Sequence, residues 1–259
     1  MSETLKVTFL GTGTSQGIPI IGSKHPVCLS DNPKDKRLRV SVLLQWKEFS
    51  YVIDCGPDFR QQMLSNPIDN LDGILFTHEH ADHTAGIDDI RPFFFRQGED
   101  IPIYAESRTV ASLKKRFDYI FAKKNRYPGV PAVKINLIDK NNSFLLNGLK
   151  VTPIEVLHNK LPILGFRILD FVYLTDVKTI SDLELLKLRG CKILVINALR
   201  IEPHISHLNL EEAIAFAKKV GAESTYFTHI SHLLGFHEEV EQQLPDHIYL
   251  AYDNLKITI

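Results

Sequence analysis

THEHADHTAG, residues 77–86, is the stretch on which the reading of this chain turns. Three histidines, a glutamate and an aspartate crowd into the six positions from His78 to His83. Protonated imidazoles so close together repel. The crowding makes sense when the rings are neutral and turn their lone pairs on shared cations. The preceding DGILFT (72–77) reads as a short apolar strand, so His78, His80, Asp82 and His83 sit on a turn at its end. The spacing differs from the helical H-E-x-x-H of zinc peptidases, because these histidines stand two apart.

A metal site needs further donors, and the chain places them at other strand ends. His158 follows TPIEVL, Asp176 follows FVYLT and His229 follows STYFT. Alone, each has a plainer reading as a surface, capping or turn residue. The recurrence at three strand ends makes them partners of the cluster.

Around these points the pattern is that of one α/β domain over residues 1–259. LKVTFLGTGTSQGIP (5–19) reads as a strand and a glycine-rich turn, with RLRVSVLLQW (37–46) and FSYVIDCG (49–56) as two further, paired strands. A helix is expected over 106–124, broken by RYPGVP (126–131). Strands GLKVTPIEV, GFRIL and FVYLTD come next, then a helix near 181–189 and the strand KILVIN. Asn209 is placed to cap the amphipathic helix NLEEAIAFAKKV, and STYFTH and HIYLAYDNLKITI supply the last β-structure. No repeat or linker-like composition divides the chain.

The totals narrow the function. A net charge of −1 over 259 residues argues against broad attraction to nucleic acid or anionic lipid. No apolar run reaches bilayer length, and the N-terminus lacks a secretory pattern. Cys28, Cys55 and Cys191, odd in number and far apart, do not suggest a disulfide framework. A cytoplasmic location is expected. Gly11, Gly13 and Gly17 are spaced one residue longer than the dinucleotide fingerprint and are followed by Pro19. They read as a tight turn near the metals and not as a nucleotide cofactor site.

With VIDCG, THEHADH, His158, Asp176 and His229 in this order, the chain resembles the metallo-β-lactamase superfamily. The resemblance implies a four-layer αβ/βα sandwich holding two divalent ions, zinc or manganese. It implies that His78, His80 and His158 hold one ion, that Asp82, His83 and His229 hold the other, and that Asp176 bridges them. Asp54 is then an organiser of ligands. Asp176 stands where the antibiotic-hydrolysing members carry cysteine, and His83 where they carry arginine, which points to another branch.

FLGTGTSQGIP (9–19), HNKLPILGF (158–166), SHLNLEEA (206–213) and THISH (228–232) resemble the phosphoribosyl 1,2-cyclic phosphate phosphodiesterases and their phosphodiesterase relatives. This resemblance implies hydrolysis of a small phosphodiester, a cyclic one by preference, by a metal-bridging hydroxide. Asp82 or Asp176 would take the proton, and His207 would stabilise the transition state or protonate the leaving oxygen. The plainer role for His207 is to help start the next helix. In that subfamily, the segment matching IGSKHPVC supplies three cysteines to a structural zinc, joined by a histidine of the THISH segment. Here Ser23, His25 and Cys28 stand at those places, with His232, so at most His25, Cys28 and His232 remain as ligands. The alternative is a loop in which Cys28 is a small apolar residue.

Asp88 and Asp89 are candidates to orient ligand histidines, and Arg91, Lys160 and Arg200 to contact phosphate. Nucleic acid and membranes are not expected partners; a homodimer is open. A thioester or lactone hydrolase, a nuclease akin to tRNA 3′-processing enzymes, and a metal-binding scaffold without chemistry are the rival readings.

Overall fold

The apolar alternation of the strands builds the layers. In the computed structural model, which describes residues 4–122 and 127–259, the first seven strands lie in this chain order. They are β1 (Lys6–Gly11), β2 (Ser41–Trp46), β3 (Phe49–Ile53), β4 (Gly73–Leu75), β5 (Ile101–Ala105), β6 (Val133–Leu137) and β7 (Phe144–Leu146). Then come β8 (Leu149–His158), β9 (Leu161–Ile168), β10 (Phe171–Tyr173), β11 (Ile193–Asn197), β12 (Ser224–Thr228), β13 (Ile248–Leu250) and β14 (Lys256–Thr258). One sheet has the order β14-β1-β2-β3-β4-β5-β6, the other β13-β12-β11-β10-β9-β8-β7. Both share one plan. β14 to β3 pair antiparallel and β3 to β6 parallel; β7 to β10 pair antiparallel and β10 to β13 parallel.

Because successive side chains on a strand point to opposite faces, each sheet presents two apolar faces. Val42, Leu44 and Trp46 of β2 and Tyr51 and Ile53 of β3 join Phe166, Tyr173 and Val195 of the other sheet in the core between the sheets. Leu43 and Val52, one residue out of phase, turn to an outer cluster with Phe59, Val110 and Leu113 of the flanking helices. On the far side Leu194 and Ile196 pack with Ala213 and Ala217 of the helix Leu210–Val220. Three apolar clusters in succession separate four layers, the expected αβ/βα sandwich.

The helix Leu210–Val220 begins where expected: Asn209 Oδ1 accepts the Glu212 N–H at 2.9 Å, and Glu212 Oε2 accepts the Asn209 N–H at 2.9 Å. The single helix expected over 106–124 is two, Ser107–Arg116 and Asp118–Phe121. The last two residues of that span and Arg126 of RYPGVP lie outside the described residues. The histidine-rich cluster is also more divided than a simple turn. His78 and His80 lie in the extended segment after β4, and Asp82 and His83 on the short helix Ala81–Thr84. That helix sits tightly on the end of β3: Cys55 N–H donates to His83 O at 2.8 Å, and a side chain at Gly56 would overlap Asp82 O.

Candidate metal centre

The donors converge at one end of the sandwich, each delivered by the end of a strand. Asp54 follows β3, His158 ends β8, Asp176 lies three residues past β10 and His229 follows β12. Asp54, Asp176 and His229 all take left-handed backbone conformations, with φ of 63°, 57° and 53°. Non-glycine residues are held there at a cost of order 1–3 kcal/mol each, and such strain gathers at functional sites. The abrupt turn carries each side chain inward while the chain leaves the sheet.

Three sets of donor atoms lie within 4.8 Å of one another: His78, His83 and Asp176; Asp82, His83 and His229; and His158, Asp176 and His207. His80 joins through His78, whose Nε2 lies 3.0 Å from His80 Nδ1. The His80 and His158 rings lie 5.2 Å apart. All seven candidate ligands thus stand in one pocket.

A network behind these side chains selects which ring nitrogen faces inward. Asp54 is fully buried; its carboxylate accepts the Thr77 N–H and hydroxyl at 2.8 Å each and the His83 Nδ1–H at 2.7 Å. Because the Thr77 hydroxyl donates to Asp54, it accepts from His78 Nδ1, 3.0 Å away. His158 Nδ1 donates to Asp176 O at 3.1 Å and Ser206 O at 3.0 Å. His78, His83 and His158 therefore keep Nε2 for the centre. Outer partners of this kind fix the tautomer of metal-ligating imidazoles.

The pocket's chemistry fits divalent cations. His83 Nε2 and both ring nitrogens of His229 are buried without a hydrogen-bond partner, although His83 Nε2 lies 3.3 Å from oxygens of Asp82 and Asp176. Burial opposes charge on His83, yet Asp82, Asp176 and Asp54 pull its pKa well above the ordinary value. Three carboxylates thus call for positive charge, which a proton or a metal can supply. Burial would push the Asp82 and Asp176 carboxyls up, but the His83 and His229 rings hold both well below the usual range. Burial, then the charge on His83, lowers His78; burial, then His158, lowers His80. Neutral His78 and His80 beside ionised carboxylates, with His83 held where a cation can replace its proton, are a donor set suited to zinc or manganese.

His207 lies against this centre and does not cap the next helix. Its Nε2 stands 2.9 Å from Asp176 Oδ1, and burial lowers its pKa to about 4. Its Nδ1 lies 3.1 Å from His204 Nδ1 and 3.0 Å from Ser206 Oγ. Nothing in the sequence signals His204: it stands alone in a loop, with no strand end or periodicity to mark it.

The centre opens into a cleft of about 490 Å³ lined by His80, His158, Asn159, Lys160, Leu161, Ile205 and Ser206. Of the three candidate phosphate contacts, Lys160 reaches this cleft. Arg91 is paired with Asp88 at 2.7 Å, and Arg200 bonds the carbonyls of Glu202 and Pro203. Asp88 is occupied by Arg91 and the Tyr119 hydroxyl, and so is turned away from the histidines it was a candidate to orient. A larger cavity, about 670 Å³, lies at the opposite ends of β10 to β12 beside Asp170 and Lys192, away from the donor sets.

The glycine-rich turn does pass beside the centre. Thr14 N–H donates to Ile230 O and Ile230 N–H to Thr12 O, next to His229. Behind the turn, half-buried Asp253 accepts from the Thr12 hydroxyl and Leu38 N–H at 2.7 Å each, and the desolvation of its carboxyl pushes its pKa up to about 6. His25 and His232 meet edge to face, ring centres 4.8 Å apart, while Cys28 packs in an apolar cluster with Ile18 and Val27. His25 Nδ1 accepts the Val27 N–H at 3.3 Å. Among the described residues, His25, Cys28 and His232 do not form a converging donor set like those of the centre.

Residues 50–230 match the family model described as a beta-lactamase superfamily domain. A solved structure of a diphosphatase from the PhnP family is 41% identical, covers 98% of this chain and 97% of its own, and superposes with a TM-score of 0.91. An octanoyltransferase of Porphyromonas gingivalis is 39% identical over 98% of this chain. The chain spans about half of that protein's length, 52%. A ribonuclease Z of Picrophilus torridus is 27% identical over 44% of this chain and 33% of its own. From the sandwich, the order of its motifs and these matches together, the chain belongs to the metallo-β-lactamase superfamily.

Proposed function

We propose that this chain is a dinuclear metal-dependent hydrolase of a small phosphodiester, a cyclic one by preference, or of a diphosphate. The observation that carries the reading is the convergence of His78, His80, Asp82, His83, His158, Asp176 and His229, with His83 Nε2 and both ring nitrogens of His229 buried without a hydrogen-bond partner. His78, His80 and His158 would hold one ion and Asp82, His83 and His229 the other, with Asp176 between them. Two such ions supply an acidified water as nucleophile and neutralise phosphate oxygens.

The chain's own groups do the rest. Asp82, at the rim of the buried set, accepts the proton released from water. His207, whose Nε2 lies 2.9 Å from Asp176, would turn that nitrogen to the departing oxygen when the ions take up Asp176. Lys160, on the two-residue turn between His158 and Leu161, binds the substrate's phosphate oxygens. The similarity to a PhnP-family diphosphatase supports phosphorus as the centre attacked. Thioester hydrolysis is the second reading, and the octanoyltransferase relative favours it. About half of that protein lies outside the match, however, and Cys28, Cys55 and Cys191 are all buried here, so none of them offers an exposed thiol to carry an acyl group.

The test is metal content and turnover measured together. The purified protein should hold two equivalents of zinc or manganese and hydrolyse bis(p-nitrophenyl) phosphate, and stripping the metal should abolish turnover. Full activity in the stripped protein, or turnover of acyl thioesters alone, rejects the proposal.

A further inference from the structure

The turn that carries His78 and His80 is tied from outside by two arginines of the helix Ser107–Arg116. Arg116 Nη2 donates to Glu79 O at 3.0 Å and to the Thr84 hydroxyl at 2.8 Å, spanning the turn. Arg108 Nε lies 3.0 Å and 3.1 Å from the two oxygens of Glu79. Its Nη2 donates to Pro162 O at 2.5 Å.

The second contact crosses the molecule. Glu79 lies between His78 and His80 in the first sheet's half. Pro162 is in β9, paired with Leu157, next to the His158–Leu161 pair of the second sheet's half. One guanidinium therefore joins the segment bearing His78 and His80 to the hairpin bearing His158. A planar fork suits this double duty, which a lysine ammonium could not fill with the same geometry.

We infer that Arg108 is a positioning residue that sets the spacing of His80 and His78 against His158, and so the affinity of the ion those three would hold. The inference rests on the dinuclear reading above. Asp82, His83 and His229 have no part in the Arg108 contacts, so the effect falls on one ion and spares the other. Loss of an outer partner of a metal ligand typically weakens metal binding about 10–100-fold.

The experiment is stepwise removal of zinc by a chelator from wild type, Arg108→Ala and Arg108→Lys, with metal analysis at each step and the Tm of each stripped protein alongside. Both variants should release one ion at about tenfold lower chelator while the second leaves as in wild type. The stripped proteins should share one Tm, which separates a role at the metal from a general role in the fold. Two ions held by Arg108→Ala as firmly as by wild type overturn the inference alone. A stripped variant that melts as far below its wild type as the loaded variant does overturns it too. Wild type that holds no ion overturns the dinuclear reading and this inference with it.

Discussion

In the first half of the molecule, four donors come from one run of six residues, His78 to His83, backed by a single buried carboxylate, Asp54. In the second half, His158, Asp176 and His229 come one at a time from the ends of β8, β10 and β12. The first half concentrates its candidate ligands and is braced from outside: Asp54 behind His83, and Arg108 and Arg116 around Glu79. The second half sets each donor on its own strand end, so the sheet itself supplies the bracing. The same end of the sandwich is reached by a motif in one case and by topology in the other.

Asp176→Ala is the sharpest way to break this comparison. Asp176 lies between donors from both halves, 3.3 Å from His83 and 3.2 Å from His229. Its loss should empty the centre and lower turnover at least about a thousandfold, several kcal/mol of transition-state stabilisation. A variant that keeps both ions, by metal analysis, would mean the halves act separately. Asp54→Asn tests the bracing in the concentrated half. It keeps an acceptor for Thr77 but removes the charge facing His83, so chelator competition should show metal held about 10–100-fold less tightly. An unchanged affinity would show that the turn needs no backing.

Lys160→Glu probes the cleft without touching a ligand. KM for a phosphodiester should rise about tenfold, the worth of one charge-assisted hydrogen bond, with kcat within about twofold. A fall in kcat alone would place Lys160 at the reacting phosphate. Asp253→Asn gives the smallest effect, on stability and not on turnover. The folded pKa of about 6 lies above the unfolded value, so native protein binds the extra proton between about pH 4 and 6. Wild-type stability should therefore fall as pH rises through that window, and the variant should show a flatter slope in urea unfolding at pH 4.5, 5.5 and 6.5.

The same contrast explains what is legible in the sequence. HEHADH is dense enough to be unmistakable, whereas His158, Asp176 and His229 gain weight only by recurring at strand ends. β5 and β7 are not legible, and β6 is only faintly so. β6, VKINL, alternates apolar and polar residues over just five positions, and β7 is three residues long, too short for the apolar run or sustained alternation that marks a strand. Arg108 and Arg116 are silent because their partners include backbone carbonyls and a glutamate some 30 residues away. The helix expected over 106–124 is too long because the break at Phe117, where φ is −130° and ψ is 44°, has no glycine or proline to announce it.

β14 crosses back to pair with β1 across the first sheet, Val7 opposite Ile257. During synthesis the outer edge of β1 must therefore wait, unpaired, while nearly all the intervening chain emerges. Contacts this distant in sequence slow folding, and a bare strand edge invites pairing with a neighbouring chain. A ribosome pausing shortly before residue 256 would hold the nascent chain with that edge of β1 still open.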